Sequence, residues 1–367
     1  MFSNIYKNKT VLVTGHTGFK GSWLTVWLLK LGAKVIGFSK DMPTNPSMFL
    51  ELGLEKHIKH IIGDIRDQNI LTELIKQEKP QFVFHMAAQA IVSKSYSDPV
   101  ETMTTNVVGT MNLLEALRKY SEPCVAVMIT SDKCYDNVEW LWGYRETDHL
   151  GGKDIYSGSK AGAEIVIKSY FHSFFQKDHP VKLAIGRAGN VIGGGDWAQD
   201  RIVVDCMRAW NEARLVEIRS PKATRPWQHV LEPLSGYLAL GASVYCDNSL
   251  HGEAFNFGPR AEQNHTVLDL IHKLAENWGF DNIKKAYKVT GDIPFHEAGL
   301  LKLNCDKALF YLKWECNLLY SETTQMVSEW YSKFYISKGD MYGFTVQQID
   351  DYEQLGLARN RIWSSKI

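Results

Sequence analysis

Four residues with acid–base side chains are spaced so that a parallel sheet would collect them at one edge. Asp132 and Lys133 come shortly after the apolar run CVAVMI (124–129). The length and β-branched content of that run predict a buried strand. Tyr156 and Lys160, in the segment YSGSK, lie four residues apart and therefore on one face of a helix. The sequence thus predicts an acid, a phenol and two amines close to the end of a core strand.

The Tyr156–Lys160 pair is suited to proton transfer. A free tyrosine has a pKa of ~10, which is too high for a base at neutral pH. A neighbouring ammonium group favours the phenolate, and each unit by which the pKa falls corresponds to ~1.36 kcal/mol. A tyrosine and a lysine at this spacing also occur by chance, so the pair gains meaning from the strand before it and from the glycine-rich loop near the N-terminus.

That loop, VTGHTGFKGSWL, has Gly15, Gly18 and Gly21 at GxxGxxG spacing between a predicted strand and a predicted helix. Gly15 permits the tight turn, Gly18 lets the backbone approach a pyrophosphate, and Gly21 allows the helix and strand to pack closely. The helix N-terminus adds free N–H groups and the positive end of a dipole. The loop therefore predicts dinucleotide binding.

Strand-like and helix-like segments alternate through the first half of the chain. The strand-like segments are 9–15, 33–39, 60–64, 82–87, 124–131 and 182–189, and the helical ones lie near 19–31, 67–78, 99–119 and 154–176. Such alternation predicts βαβ units and an α/β fold with a Rossmann-like, doubly wound parallel sheet. Right-handed crossovers would place the functional loops at the carboxyl ends of the strands.

The second half reads differently and predicts a smaller, mixed α/β, substrate-binding lobe. Its predicted elements are helices near 200–213, 231–246, 266–279 and 321–335 and a strand at 253–259, with the Arg/Pro/Trp-rich segment 220–230 among them. We assign residues 1–188 plus 229–258 to the dinucleotide-binding domain and residues 189–228 plus 259–367 to the second lobe.

The composition excludes several classes of protein. Lys plus Arg and Asp plus Glu both number 41, so there is no overall basic field to attract nucleic acid or anionic lipid. The six cysteines form no CxxC pair and the twelve histidines show no metal-ligand spacing, which predicts reduced thiols and no metal site. The chain starts directly into a strand and has no long apolar run, so we expect a cytoplasmic protein without a signal peptide or membrane span.

Four motifs, in the order in which they occur, resemble those of the extended short-chain dehydrogenases/reductases. They are the glycine loop, GDIRD with Asp64, HMAAQ with His85, Ala87 and Ala88, and NVVGT with Asn106, Gly109 and Thr110. The resemblance implies that Asp64 contacts adenine. The cofactor-binding residues that it implies are Gly15, His16, Thr17, Gly18, Phe19, Lys20, Gly21, Ser39, Asp64, Ile65, Ala87, Ala88, Gln89, Asn106, Tyr156 and Lys160.

One departure concerns the choice of cofactor. A site that prefers NAD usually has an acid at the end of the second strand, where it holds the ribose hydroxyls. Here the strand ends in Ser39 and Lys40, with Asp41 slightly later. Ser and Lys tolerate a 2′-phosphate, so we expect NAD while NADP stays open. Lys20, inside the glycine loop, is expected to add positive charge near the phosphates.

Within that family, the segments TSDKCYDN, GHTGFKGSW, RAGNVIGGGDW and RPWQHVLEPLSGY resemble the sugar-nucleotide 4,6-dehydratases that act on CDP-glucose, across essentially the whole chain. The resemblance implies that Ser131, Tyr156 and Lys160 oxidise carbon 4 of the sugar with the nicotinamide. Asp132 then protonates the departing 6-hydroxyl, and the hydride returns to carbon 6. Most relatives have Asp-Glu where this chain has Asp132 and Lys133. Lys133 is either the base for carbon 5 or an electrostatic stabiliser of the enolate.

The same resemblance implies a set of contacts to the nucleotide sugar. Asn190, Arg201 and Arg225 are expected at the diphosphate, where arginine binds bidentately. Trp197 and Trp227 are candidates to cover the base. The substrate-binding residues are thus His85, Ser131, Asn190, Trp197, Arg201, Arg225, Trp227 and Asn256, with His296 and Glu297 as plausible further contacts.

The alternatives are another nucleotide-sugar 4,6-dehydratase, a nucleotide-sugar 4-epimerase or reductase of the same fold, and a non-catalytic dinucleotide-binding regulator. The regulator is disfavoured because both Tyr156 and Lys160 are present. The family resemblance also implies at least a homodimer, formed through the helices near 99–119 and 154–176. Aromatic residues in the second of these, IVIKSYFHSFF, are expected in the interface. The product class would serve deoxysugar and polysaccharide biosynthesis.

Overall fold

The computed structural model describes residues 1–260, 262–290 and 300–365. Its strands are β1 (Thr10–Thr14), β2 (Lys34–Ser39), β3 (Lys59–Ile62), β4 (Phe82–His85), β5 (Cys124–Ile129), β6 (Val181–Ala188), β7 (Val191–Ile192), β8 (Val216–Ile218), β9 (Thr224–Arg225), β10 (Gln228–His229), β11 (Ala254–Phe257), β12 (His265–Thr266) and β13 (Tyr287–Val289). Seven of them form one parallel sheet in the order β11-β6-β5-β4-β1-β2-β3. The predicted Rossmann-like sheet is therefore confirmed.

Helices cover both faces of this sheet. They are α1 (Phe19–Lys30), α2 (Met48–Glu51), α3 (Gln68–Glu78), α4 (Val92–Ser97), α5 (Pro99–Met103), α6 (Gly109–Arg118), α7 (Ile155–Tyr170), α8 (Ile202–Asn211), α9 (Leu231–Cys246), α10 (Val267–Trp278), α11 (Tyr320–Ser332) and α12 (Met341–Ala358). Because side chains alternate along a strand, Val11 and Val13 of β1 pack with α1 and α9, whereas Leu12 packs with α3, α6 and α7.

Wider π-type turns extend two of these helices. Residues Thr104–Val108 join α5 to α6, and Phe171–Phe175 continue α7. The continuous helical segments that result agree with the predicted helices near 99–119 and 154–176 within a few residues. None of the helices in the described part of the chain is both long and apolar enough to cross a membrane.

The second half contains short strands and a helix that the sequence pattern did not predict. β7 pairs with β10, β9 with β12, and β8 with β13, each pair forming a small separate ribbon. α12 was missed because its buried stripe includes polar Thr345, Gln348 and Glu353, so its apolar periodicity is weak. Its Glu353 accepts a hydrogen bond of 2.7 Å from Trp27 Nε1 of α1. The division of the chain into two domains stays a prediction.

A buried ion pair joins α7 to the sheet. Arg187 of β6 donates from Nε and Nη2 to the two carboxylate oxygens of Glu164 on α7, at 2.8 and 2.9 Å, and both side chains are 2% exposed. Thr130 also donates to Glu164, and Arg187 Nη1 donates to the Tyr135 hydroxyl at 2.7 Å. Because the pair is bidentate and its remaining polar atoms are satisfied, the attraction offsets the desolvation of two charges.

Removing one partner of this pair should destabilise the protein strongly. We expect Arg187→Met to lower the free energy of unfolding by about 3–5 kcal/mol, because it leaves the Glu164 carboxylate buried without its cation. Urea unfolding followed by circular dichroism measures this change. The double variant Glu164→Gln/Arg187→Met should recover part of the loss.

Lys273→Met is the control, because Lys273 pairs with Glu276 at an exposed site on α10 and such pairs contribute little. If Arg187→Met unfolds at the same urea concentration as Lys273→Met, the ion pair does not anchor α7.

Candidate active site

The glycine loop between β1 and α1 has the shape of a phosphate cradle. Gly15 has a φ of +75° and its N–H donates to the carbonyl of Phe38 at 2.8 Å. A Cβ on Gly21 would lie 2.2 Å from the Gly15 oxygen, so the turn and the helix are in direct contact. A Cβ on Gly18 would meet only that same oxygen, at 3.4 Å, which leaves the outer face of the loop open. The residues present therefore fit a dinucleotide diphosphate.

Side chains of this loop fasten it to the neighbouring strands. His16 is fully buried, with its Nδ1 2.9 Å from Ser39 Oγ of β2 and its Nε2 2.7 Å from His60 Nδ1 of β3. Burial, with a smaller effect of His60, lowers the pKa of His16 to about 3, so the ring is neutral. Thr17 Oγ1 donates to the carbonyl of Asp41 at 2.7 Å. The predicted cofactor contact of His16 is thus not made by its imidazole, which holds the loop in place.

Charged residues gather at the ends of β2 and β3. Arg66 donates to both carboxylate oxygens of Asp64, and these hydrogen bonds are the main cause of the lowered pKa of Asp64. Lys40 Nζ lies 3.3 Å from Glu101 and 4.0 Å from Asp64. The positive charge of Lys40, which would tolerate the 2′-phosphate of NADP, therefore faces two carboxylates. Ile65 is buried against Gly109, where a Cβ would lie 2.5 Å from its Cδ1.

The loop after β4 is held by Asn106. Its Oδ1 accepts from the N–H of Gln89 at 2.8 Å, and its Nδ2 donates to the Gln89 carbonyl and to Ser159 Oγ, at 3.0 and 2.8 Å. Asn106 thereby links the loop that contains Ala87 and Ala88 to the helix α7. The Ala87 N–H lies against Gly15, so this loop and the glycine loop form one surface.

His85, one of the predicted substrate contacts, is hydrogen-bonded within the protein. Its Nδ1 lies 2.8 Å from Thr14 Oγ1 and its Nε2 lies 3.1 Å from Thr110 Oγ1, and the residue is buried. Desolvation, and then the nearby charge of Lys160, lowers the pKa of His85 to about 3. A neutral histidine with both ring nitrogens engaged ties β1 to α6, and its predicted contact with the substrate stays a prediction.

The acid–base residues do meet at the carboxyl end of the sheet. Ser131 follows β5, and its hydroxyl donates to Asp132 Oδ1 at 2.8 Å and accepts from the Lys133 N–H at 3.2 Å. Tyr156 and Lys160 lie on the first turns of α7, both nearly buried, with Lys160 Nζ 5.9 Å from the centre of the Tyr156 ring. The 3₁₀ turn Asp132–Cys134 packs against α7, so the acid and the phenol share one pocket.

Burial sets the proton affinities in this pocket. Desolvation raises the pKa of Asp132, against the opposing effects of Lys133 and of the Ser131 hydroxyl. It also raises the pKa of Tyr156 to about 12, with Asp132 adding to the rise while Arg201 and a hydrogen-bonding interaction with Ser131 oppose it. Desolvation lowers the pKa of Lys160 to about 8. Asp132 is thus biased toward its protonated form, as a general acid requires.

Several predicted diphosphate contacts border this pocket. Arg201 Nε lies 3.2 Å from Asp196 Oδ2, and the Arg201 side chain as a whole is partly exposed. Asn190 is the second residue after β6 and is half-buried. A Cβ on the preceding Gly189 would lie 3.1 Å from Asp132 Oδ2, so this chain segment borders the acid. Arg225 is half-buried in β9, two residues before the buried Trp227.

Two other predicted substrate contacts belong to the core. Trp197 is 1% exposed, its Nε1 donates to the Tyr335 hydroxyl at 3.0 Å, and its ring packs against Trp330. Asn256 is fully buried, accepts from the Tyr135 hydroxyl and donates to two backbone carbonyls. Both side chains are engaged in internal contacts, and their assignment to the substrate stays a prediction. His296 and Glu297 lie outside the described residues.

The sequence reading missed Glu164, Arg187 and Tyr237. Glu164 lies four residues after Lys160 on the same helix face, which is a spacing that the sequence does show. Tyr237 is fully buried on α9, with its hydroxyl 3.5 Å from Lys20 Nζ.

Among the described residues, no group of three or more His, Cys, Asp or Glu side chains is arranged to hold a metal ion.

Comparisons with known proteins agree with this site. Residues 12–256 match the model of the family described as GDP-mannose 4,6 dehydratase. A CDP-glucose 4,6-dehydratase of Salmonella typhimurium is 46% identical over 353 residues, which cover 95% of this chain and 97% of that protein.

Solved structures share the fold. The UDP-glucose 4-epimerase of Thermotoga maritima superposes with a TM-score of 0.76 at 22% identity, covering 89% of this chain and 99% of that one. The dTDP-glucose 4,6-dehydratase of Bacillus anthracis, in complex with NAD, has a TM-score of 0.73 at 23% identity, covering 89% and 97%.

A Cβ has room at Gly18 but collides with backbone at Gly21, so alanine substitutions at the two positions should have different effects. Gly18→Ala should leave the melting temperature nearly unchanged but weaken dinucleotide binding by roughly tenfold or more, because its methyl group enters the space for the diphosphate. Gly21→Ala should lower the melting temperature by several degrees, because its methyl group collides with backbone. Thermal melts and titration with NAD measure both, and equal melting temperatures for the two variants would contradict the assignment.

Proposed function

The chain belongs to the GDP-mannose 4,6-dehydratase family, and we propose that it converts CDP-D-glucose to CDP-4-keto-6-deoxy-D-glucose by NAD-dependent 4,6-dehydration. It is a lyase of the hydro-lyase class. The observation that carries the proposal is the buried acid Asp132, which accepts a hydrogen bond from Ser131 and lies on a turn packed against the helix of Tyr156 and Lys160. The choice of CDP-glucose rests on the 46% identity to a CDP-glucose 4,6-dehydratase over nearly the whole chain.

The first task of the site is to remove the proton from the 4-hydroxyl. We assign that role to Tyr156, with Lys160 beside it favouring the phenolate and Ser131 orienting the hydroxyl. The chemistry that NAD supplies when bound is to accept a hydride from the sugar and later to return it. The residues that would hold it are the three loop glycines Gly15, Gly18 and Gly21, with Asp64 and the loop 87–89 that Asn106 fixes.

The second task is to expel the 6-hydroxyl as water. The ketone at carbon 4 acidifies the hydrogen on carbon 5, and Asp132 gives its proton to the departing hydroxyl. Burial in the pocket raises the pKa of Asp132, which keeps this proton available. Lys133 is half-buried next to the acid. Its two possible roles, as base for carbon 5 or as stabiliser of the enolate oxygen, both stay predictions.

A 4-epimerase or reductase of the same fold is the second candidate, since the matched solved structures include an epimerase. Such an enzyme uses the glycine loop and the Tyr–Lys pair but has no step that requires Asp132. Because the two candidates share the rest of the site, the function depends on what Asp132 does.

Replacement of the acid distinguishes these functions. With CDP-glucose and NAD, Asp132→Asn should lower product formation by roughly 10²-fold or more, because a positioned acid contributes about 10²–10⁴-fold. Product is measured by the ultraviolet absorbance that 4-keto-6-deoxy sugars develop in alkali. Asp136→Asn, at an exposed position of the same loop, should keep full activity.

The wild-type enzyme should produce this signal with CDP-glucose and not with dTDP-, GDP- or UDP-hexoses. A signal with only one of the other nucleotide hexoses would support the dehydratase assignment but would change the proposed substrate. If the protein binds NAD but gives no signal with any of these substrates, the dehydratase proposal is refuted and an epimerase or reductase is favoured.

We further propose that two copies associate through the helical segments 99–118 and 155–175. Exposed apolar side chains support this surface: Val100, Met103, Val108, Met111, Ile155, Ile165 and Phe174. We also propose a cytoplasmic location, where the free cysteines of the chain would remain reduced; cell fractionation tests it.

A charge placed in this surface should separate the copies. Ile165→Glu should convert the wild-type dimer to a monomer at micromolar concentration, because Ile165 is 55% exposed on α7 and a buried unpaired carboxylate is costly. Size-exclusion chromatography with light scattering measures the mass. Leu357→Glu, at an exposed apolar position of α12, is the control, and a wild-type monomer would refute the interface.

A further inference from the structure

Lys20 is the residue of the glycine loop whose position the dinucleotide-binding role does not explain. It is the second residue of α1, where the positive end of the helix dipole disfavours a cation. Its Nζ lies 3.5 Å from the Tyr237 hydroxyl and 5.7 Å from the centre of that ring. The ion pairs of the described residues do not include Lys20. Because a lysine at this position does not stabilise the helix, we expect another role for its charge.

The charges around Lys20 are those of the catalytic pocket. Lys160 and Arg201 act on it as cations, and Asp132 acts on it as an anion. Desolvation and these two cations lower the pKa of Lys20 to about 7, whereas Asp132 opposes the fall. Asp132 is in turn influenced by Lys20 as well as by Lys133. Lys20 therefore shares a pocket with the acid that expels water.

Tyr237 fixes the side of the pocket on which Lys20 lies. It is fully buried on α9, and a Cβ on Gly186 of β6 would lie 2.8 Å from its ring, so the ring cannot move toward the sheet. A Cβ on Gly189, three residues further along the chain, would lie 3.1 Å from Asp132 Oδ2, and Asp132 raises the pKa of Tyr237 further after desolvation. Tyr237, which contacts the amine, and the acid thus both lie at the carboxyl end of β6.

We propose that Lys20 is a positioning residue of the dehydration step, which supplies the positive charge that stabilises the Asp132 carboxylate once its proton has left with the 6-hydroxyl. The proposal rests on the proposed function, since only a dehydratase turns Asp132 into an anion during its reaction. Before that step Asp132 is neutral and a charge on Lys20 has no partner. After it, a buried carboxylate without a cation would be strongly disfavoured.

The titratable groups that interact electrostatically with Asp132 come from several neighbouring elements. They are Lys133 and Cys134 on its own turn, Lys20 on α1, Tyr156 on α7 and Tyr237 on α9. Arg201 is engaged by Asp196, and Lys160 lies beside Tyr156. Lys20 and Lys133 are thus the two cations that act directly on the acid.

The pH dependence of kcat tests the proposal, because Asp132 must be protonated to act and its loss of the proton ends activity at high pH. A cation stabilises the carboxylate and lowers the pKa of the acid. Lys20→Met should therefore move the alkaline limb upward by about one pH unit and lower kcat by roughly tenfold. Lys20→Arg keeps a permanent charge and should not move that limb upward.

Titration of each variant with NAD provides the second measurement and shows that the protein is folded. We expect the dissociation constant of NAD to stay within about twofold of the wild type, because Lys20 faces Tyr237. Lys153→Met, which removes an exposed charge just before α7, should change neither the pH profile nor NAD binding.

Two results would overturn the proposal. One is a Lys20→Met enzyme that binds NAD at least tenfold more weakly with an unchanged alkaline limb, which would make Lys20 a phosphate ligand. The other is an unchanged pH profile together with unchanged binding. Failure of the proposed function is recognised separately, since the wild type would then form no keto-deoxy product from CDP-glucose.

Discussion

The buried pair of Glu164 and Arg187 is the interaction on which the geometry of the site depends. Glu164 lies one helical turn after Lys160, so the pair fixes the helix that carries the amine and Tyr156 to strand β6. Two fully buried charges are tolerated only when their geometry is good. Here the bidentate contact and the hydrogen bond from Thr130 at the end of β5 satisfy the carboxylate. Helix and sheet therefore cannot shift independently.

The fixed, buried pocket holds two groups that need opposite protonation states, and nearby charges must separate their pKa values. The acid Asp132 must hold its proton while Tyr156 must lose one, yet burial raises the pKa of both. The two groups also influence each other, because the Asp132 charge raises the pKa of Tyr156. Cations that reach the two groups unequally can separate their proton affinities: Arg201 acts on the phenol, whereas Lys133 acts on the acid. Pairs whose environments separate their proton affinities are typical of acid–base sites.

The parallel sheet could be predicted from the sequence because its strands are short apolar runs that alternate with helices, as in CVAVMI of β5. The small ribbons of the second half could not, since strands of two or three residues such as β7 and β8 carry no periodic signal. The helix α12 escaped for a related reason. Its buried face includes Gln348, which donates to the carbonyl of Met326, and Glu353, which accepts from Trp27, both partners being distant in the sequence.

The candidate site shows the same limit at the level of single side chains. The sequence motifs predicted where the backbone turns. The glycine loop, the Asp132 turn and the start of α7 do lie at the carboxyl end of the sheet, as predicted. Where each polar side chain points depends on partners that a local motif does not contain. The ring of His85 is held by Thr14, 71 residues earlier. Lys20 lies beside Tyr237, 217 residues later, and for that reason a residue of the cofactor loop takes part in the catalytic pocket.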